Sequence, residues 1–138
     1  MEKNNEKKSW KGNTGNKRGK GNLGEQYAKE YLIDAGYNII KKNYRCRHGE
    51  IDLIAEQLNR EKALVFVEVK SRATEKYGIP CQAVDTHKIR KIEGAVKNFI
   101  QNNKQYKDYE IRIDVIEIYY NRSFTQIKKL HHIENVTL

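Results

Sequence analysis

The sequence predicts a single α/β domain: a mixed sheet flanked by helices, in the order helix, three strands, helix, two strands. Three observations lead there. Two stretches, about 23–35 and 85–102, repeat apolar residues at helical spacing. Five others read as strands, either as apolar runs or as alternating patterns. The length, 138 residues, suits one modest core.

Composition narrows the partners. Hydrophobic residues make up 38% and charged residues 33%, and no run of about 18 apolar residues exists to span a membrane. The N-terminus is charged and has no apolar signal core, so a cytoplasmic protein is expected. Cys46 and Cys81 form no closely spaced pair, and free thiols are expected in that compartment. The formal charge is +9, which points to a polyanionic partner, most simply nucleic acid. The excess is uneven, because residues 1–22 alone carry seven basic and two acidic residues. Residues 1–20 read as a basic, disordered arm and 21–138 as the folded domain. Trp10 could stack on a base but more simply packs loosely. Gly15 to Gly21 is no phosphate-binding loop, since its glycine spacing is wrong and no Ser or Thr follows Lys20.

The first helix presents Leu23, Tyr27, Ala28, Tyr31, Leu32 and Ala35 on one face, with Gly36 just past its end. Glu25 lies near the border of that face. It either turns toward the sheet or serves as an acid favoured by the helix dipole. A strand follows from Tyr37 to about Tyr44, then a basic turn, Arg45-Cys46-Arg47-His48-Gly49. In the next strand Ile51, Leu53 and Ala55 are expected on one face, and Glu50, Asp52 and Ile54 on the other. Asp is depleted in strands, yet Asp52 stands between two large apolar residues.

The third strand opens the stretch 64–72, where Leu64, Val65, Phe66, Val67 and Val69 make it apolar on both faces, as central strands are. Glu68 and Lys70 interrupt it. They share a face with Leu64 and Phe66 and are about 6.6 Å apart along the strand, close enough to reach one small site. A surface ion pair is the plain alternative. Buried charges, however, need partners or a metal, and a hairpin would bring Asp52 to the same place. Residues 71–82 read as a loop, where Arg72, Lys76 and Tyr77 are candidates for phosphate contact.

Asp85 or Thr86 caps the second helix. Ile89, Ile92, Val96, Phe99 and Ile100 form its apolar stripe, and Lys88, Arg90, Lys91 and Lys97 its basic side. Tyr109 to Tyr120 alternates clearly, with Asp114 best read as the partner of a nearby Arg or Lys. A short strand from Thr125 to Leu130 ends the fold. The candidate nucleic-acid contacts are Arg45, Arg47, Arg72 and Lys88. Cys46, His48, Cys81, His131 and His132 have no zinc-ligand spacing.

Two acids and a lysine on neighbouring strands suit metal-assisted phosphodiester hydrolysis. Carboxylates are hard ligands for Mg²⁺, and a lysine beside them can orient or deprotonate water. Asp52 followed by Glu68-Val69-Lys70 resembles the D…ExK signature of restriction-endonuclease-like nucleases. A longer string supports it: Gly21-x-x-Gly24-Glu25-x-x-Ala28, Gly36-Tyr37, Asn43-Tyr44-Arg45, Gly49 to Ile54, Val65 to Arg72, and Ile113-Asp114-Val115. Together these resemble the YraN family of small bacterial proteins, themselves similar to Holliday-junction resolvases. The resemblance implies a restriction-endonuclease-like core. It further implies a Mg²⁺ or Mn²⁺ ion on Asp52 and Glu68, a catalytic Lys70, and Glu25 as a further ligand or orienter. Ile51 stands where many such nucleases have proline. The expected activity is DNA endonucleolytic, with branched DNA as substrate and, by analogy, a homodimer. The alternatives are a nucleic-acid-binding protein that keeps the fold with little or no cleavage, and a protein-interaction module with a solubilising tail.

Overall fold

The structure, a computed structural model, describes residues 2–5, 17–59, 62–72, 86–123 and 125–136. Trp10, Lys76, Tyr77, Cys81 and Asp85 lie outside the described residues. The elements are β1 (Glu2–Asn5), α1 (Lys17–Asp34), β2 (Asn38–Cys46), β3 (Gly49–Gln57), β4 (Ala63–Arg72), α2 (Thr86–Asn102), β5 (Glu110–Tyr120) and β6 (Ile127–Ile133). A single 3₁₀ turn, Lys104–Tyr106, joins α2 to β5.

The fold class is the expected one: a mixed α/β architecture whose five strands β2–β6 are flanked by two helices, compatible with a restriction-endonuclease-like core. The short β1 adds antiparallel to the β6 edge, so the order is β1-β6-β5-β4-β3-β2. Strands β2, β3 and β4 form an antiparallel meander, and β5 runs parallel to β4. That parallel step needs a crossover, which α2 supplies. Helix α1 starts at Lys17, earlier than the expected Leu23. It ends as expected, with Gly36 at φ 95° and the Tyr37 amide bonded back to the Leu32 carbonyl at 2.9 Å.

Two cores sandwich the sheet. Under α1, Tyr27, Ala28 and Leu32 pack on Leu53, Val65, Val67 and Ile118. Under α2, Ile89, Ile92 and Phe99 pack on Ile54, Leu64 and Phe66. The central strand therefore splits as its alternation predicts, with Val65 and Val67 on the α1 side and Leu64 and Phe66 on the α2 side. Strand β3 does not. Ile51 lies in the α2 core, away from Leu53 and Ala55, so strict alternation fails between Ile51 and Leu53. Asp52 sits at that slip. Among the described residues no helix is long and apolar enough to cross a membrane.

Candidate active site

The slip in β3 has a visible cause in the ladders. The β3–β4 pairing runs from Gln57↔Ala63 to Leu53↔Val67 and stops. Strand β4 stays paired with β5 through Arg72, so β3 and β4 fork. On the other side of β3, pairing skips from Lys42↔Leu53 to Tyr44↔Ile51. The residue passed over in β2 is Asn43, which adopts φ 51°, a left-handed conformation that Asn tolerates. Asp52 thus has no paired residue on either neighbouring strand. Its carboxylate turns into the fork instead, and Oδ2 accepts the Val69 amide at 2.8 Å.

Glu68, the next residue along β4, reaches the same fork from the α2 side and is 6% exposed. Its Oε1 lies 2.6 Å from Lys88 Nζ and 3.8 Å from Lys70 Nζ. Lys70 is half-buried and Lys88 comes down from the first turn of α2. Glu25 arrives from α1. Gly24 permits this approach, because a Cβ there would stand 2.9 Å from Ser71 Oγ and 3.2 Å from the Tyr120 hydroxyl. The Asn43 side chain bonds Glu25, and Glu50 and Glu68 lie within electrostatic reach. Asp52, Glu68, Lys70 and Glu25 are therefore brought within electrostatic reach of one another at the fork.

The acids crowd one another. Burial pushes the Asp52 carboxyl up to about 7; the Glu68 charge adds to the rise, and the Val69 amide opposes it. Burial also lifts Glu25 above the usual carboxylate range, against the bond from Asn43. Burial holds Lys70 below its ordinary value, and the neighbouring Lys88 pulls it further down. Burial works against Lys88 too, but its bond to Glu68 and that carboxylate's charge leave it above the ordinary value.

A basic groove of about 540 Å³ opens beside the fork. The β2–β3 turn forms one wall with Arg45, Arg47 and His48, and α2 forms the other with His87, Lys88 and Lys91. Two glycines let these walls meet. A Cβ on Gly49 would stand 2.8 Å from the Lys91 carbonyl oxygen, and one on Gly94 would be 3.1 Å from the His48 Cβ. Glu50 is the only acid among the described lining residues, and it pairs with Arg45 at 3.4 Å.

Two expected contact residues sit differently. Arg72 is outside the groove: its Nε bonds the fully buried Glu117 at 2.7 Å, and His131 approaches the same carboxylate at 3.4 Å. Lys88 is not on the solvated side of α2 with Arg90, Lys91 and Lys97, which are exposed. It lies one turn before Ile92, in line with Ala95 and Phe99, so it continues the buried stripe. That spacing was the signal for its contact with Glu68. Asp114 pairs with an arginine as expected. Arg112 Nε and Nη2 bond its two oxygens at 2.9 and 2.8 Å, and His132 Nε2 adds a third contact at 2.7 Å. His131 and His132 serve opposite faces of β6, one meeting Glu117 and the other Tyr31 and Asp114. Among the described residues no group of three or more His, Cys, Asp and Glu side chains is gathered at metal-ligating distance.

The forked mixed sheet with two flanking helices, carrying two carboxylates and a lysine at the split, is compatible with a restriction-endonuclease-like architecture. The chain belongs to the uncharacterised protein family UPF0102, whose model matches residues 24–118, in agreement with the YraN resemblance. It is 42% identical to a UPF0102 protein of Caldanaerobacter subterraneus subsp. tengcongensis over 120 residues, covering 87% of this chain and 95% of that protein. A UPF0102 protein of Clostridioides difficile is also 42% identical over 120 residues, covering 87% and 97%. One of Syntrophus aciditrophicus is 46% identical over 98 residues, covering 71% and 74%.

Proposed function

We propose that this chain is a divalent-metal-dependent DNA endonuclease acting on branched DNA in the cytoplasm. The observation that carries the reading is the meeting of Asp52, Glu68 and Lys70 at the β3–β4 fork, beside a groove lined by cations. The donor set fits a hard cation. Two carboxylates crowd each other in a partly dry site, and the Asp52 carboxyl is pushed up to about 7 by burial and Glu68, a conflict that positive charge relieves. Asp52 and Glu68 would hold Mg²⁺ or Mn²⁺, and Glu25 would orient the set. When bound there, the ion would acidify a water and offset charge developing on the phosphate.

The remaining work falls to the chain itself. Lys70 Nζ, held near Glu68 and with a lowered pKa, can take a proton from the attacking water or donate to the developing oxyanion. The Val69 amide keeps the Asp52 carboxylate aimed into the fork. Arg45, Arg47 and Lys88 bind the phosphate backbone along the groove. Two symmetric cuts in a branched substrate need two sites, so the active species is a homodimer.

A nicking assay on linear, flap, single-stranded and four-way-junction DNA tests this, with Mg²⁺, Mn²⁺ or EDTA. Metal-dependent cutting lost in Lys70→Ala, with binding retained, supports it. Equal cutting by the variant removes Lys70 from the mechanism.

One observation favours a second reading, a nucleic-acid-binding protein with little or no cleavage. Glu68 is already occupied by Lys88, at 2.6 Å. Salt-sensitive DNA binding with no nicking under any divalent ion would select it.

A further inference from the structure

Lys88 occupies an unusual position. Its ammonium approaches Oε1 of Glu68, a carboxylate that the reading above assigns to the metal ion, at 2.6 Å, while the residue as a whole lines the groove. The lysine side chain is 43% exposed and that of Glu68 is 7% exposed, so the lysine can leave more readily than the acid. A divalent ion binds carboxylate oxygen at about 2.0–2.1 Å, and a second cation on the same oxygen is strongly repelled.

The helix gives Lys88 little reason to stay where it is without an anion. The start of α2 carries His87, Lys88, Arg90 and Lys91 and no acid in its first turn. That end of a helix dipole disfavours positive charge. Glu68 bonds Lys88 now, and the Asp52 carboxyl lies within electrostatic reach of the same ammonium. In the groove, the only described acid, Glu50, faces Arg45. A lysine released from Glu68 would therefore find its counter-charge in a bound polyanion.

We propose that Lys88 is a tethered counter-ion of Glu68 that a divalent cation displaces into the groove, so that metal loading of the fork and phosphate-backbone binding in the groove favour each other through this one side chain. The inference rests on the metal-site reading above and adds a coupling between its two ligands. Thermodynamic linkage makes the coupling reciprocal: metal tightens DNA, and DNA tightens metal, by the same factor.

Calorimetric titration of the full chain with Mn²⁺, without DNA, tests the displacement directly. The variants are Lys88→Gln, which keeps a donor for Glu68 but removes the competing charge, and Lys91→Gln, which removes an exposed charge from the same helix and groove. Lys88→Gln is expected to bind Mn²⁺ roughly fivefold or more tightly than the native chain, and Lys91→Gln within about twofold of it. Equal or weaker binding by Lys88→Gln overturns the displacement while leaving the metal site intact. Equal tightening in both variants also overturns it, because general charge then explains the effect. No Mn²⁺ binding by any of the three removes the metal-site reading and the displacement with it. Fluorescence anisotropy of a labelled four-way junction, in EDTA and in Ca²⁺, tests the coupling. Ca²⁺ should raise the affinity of the native chain and raise that of Lys88→Gln less. An equal gain in both overturns the coupling.

Discussion

The Val69 amide donates to Asp52 Oδ2 at 2.8 Å, at the position where the β3–β4 ladder has already ended. A carboxylate thereby takes the place of a strand carbonyl and is held in the fork beside Glu68. The contact keeps one half-buried amide satisfied while creating a charge conflict between two acids.

That conflict has a pH signature. The Asp52 carboxyl is pushed up to about 7, from an ordinary value of 3.8, by burial and by Glu68. A carboxyl raised on folding costs stability as pH climbs from the unfolded value to the folded one, and the cost is complete above the folded value. Asp52→Asn, which still offers an oxygen to the Val69 amide, should therefore stabilise the protein at pH 8 by about 1–3 kcal/mol and little at pH 4. Denaturant unfolding at the two pH values measures this. Equal effects at both would show that Asp52 is not raised.

Asp114 should behave oppositely. Burial pushes its carboxyl up, but His132, Arg112 and the Asn135 amide bring it below the ordinary range. Its contribution is present at neutral pH and is lost as pH falls through the lowered value. Asp114→Ala leaves Arg112 and His132 without their shared anion and should cost about 3–5 kcal/mol at pH 7. The loss should shrink in acid, read by the same unfolding measurements.

Two glycines with positive φ separate backbone strain from steric clash. Gly36 has φ 95° and nothing within 4 Å of the point a Cβ would occupy, so Gly36→Ala should cost about 1 kcal/mol. Gly49 has φ 154° and the Lys91 carbonyl oxygen 2.8 Å from the corresponding point. Gly49→Ala should cost clearly more, about 2–3 kcal/mol, because the turn must also move off α2. Chemical denaturation compares them, and equal costs would mean that the turn yields freely.

The groove makes a prediction about salt. If Arg45 and Arg47 each meet one phosphate, replacing either by Gln should lower the slope of log affinity against log salt by about 1. Arg72, held by Glu117 outside the groove, should change it less when replaced by Gln. Binding titrations between 50 and 200 mM salt, about the range over which such effects are large, decide between them.

Much of the fold is legible in the residue order, because alternation and helical spacing are local properties. The apolar stripes of α1 and α2 and the two-faced burial of β4 follow from residue spacing alone, and they place Glu68 and Lys70 with Leu64 and Phe66. The hairpin that carries Asp52 toward them is likewise readable from two strands joined by a polar turn. Other features depend on the strands parting. Nothing local announces that the β3–β4 ladder stops at Leu53↔Val67, that Asn43 is passed over, or that Ile51 crosses to the α2 core. Those outcomes depend on contacts between elements far apart in the chain. So do the approach of Lys88 to Glu68 and of Arg72 to Glu117. Sequence by itself determined which core most residues face, Ile51 excepted, and which charges interrupt them; only the tertiary structure decided which charges meet, because ion pairing depends on distances between elements that no periodicity encodes.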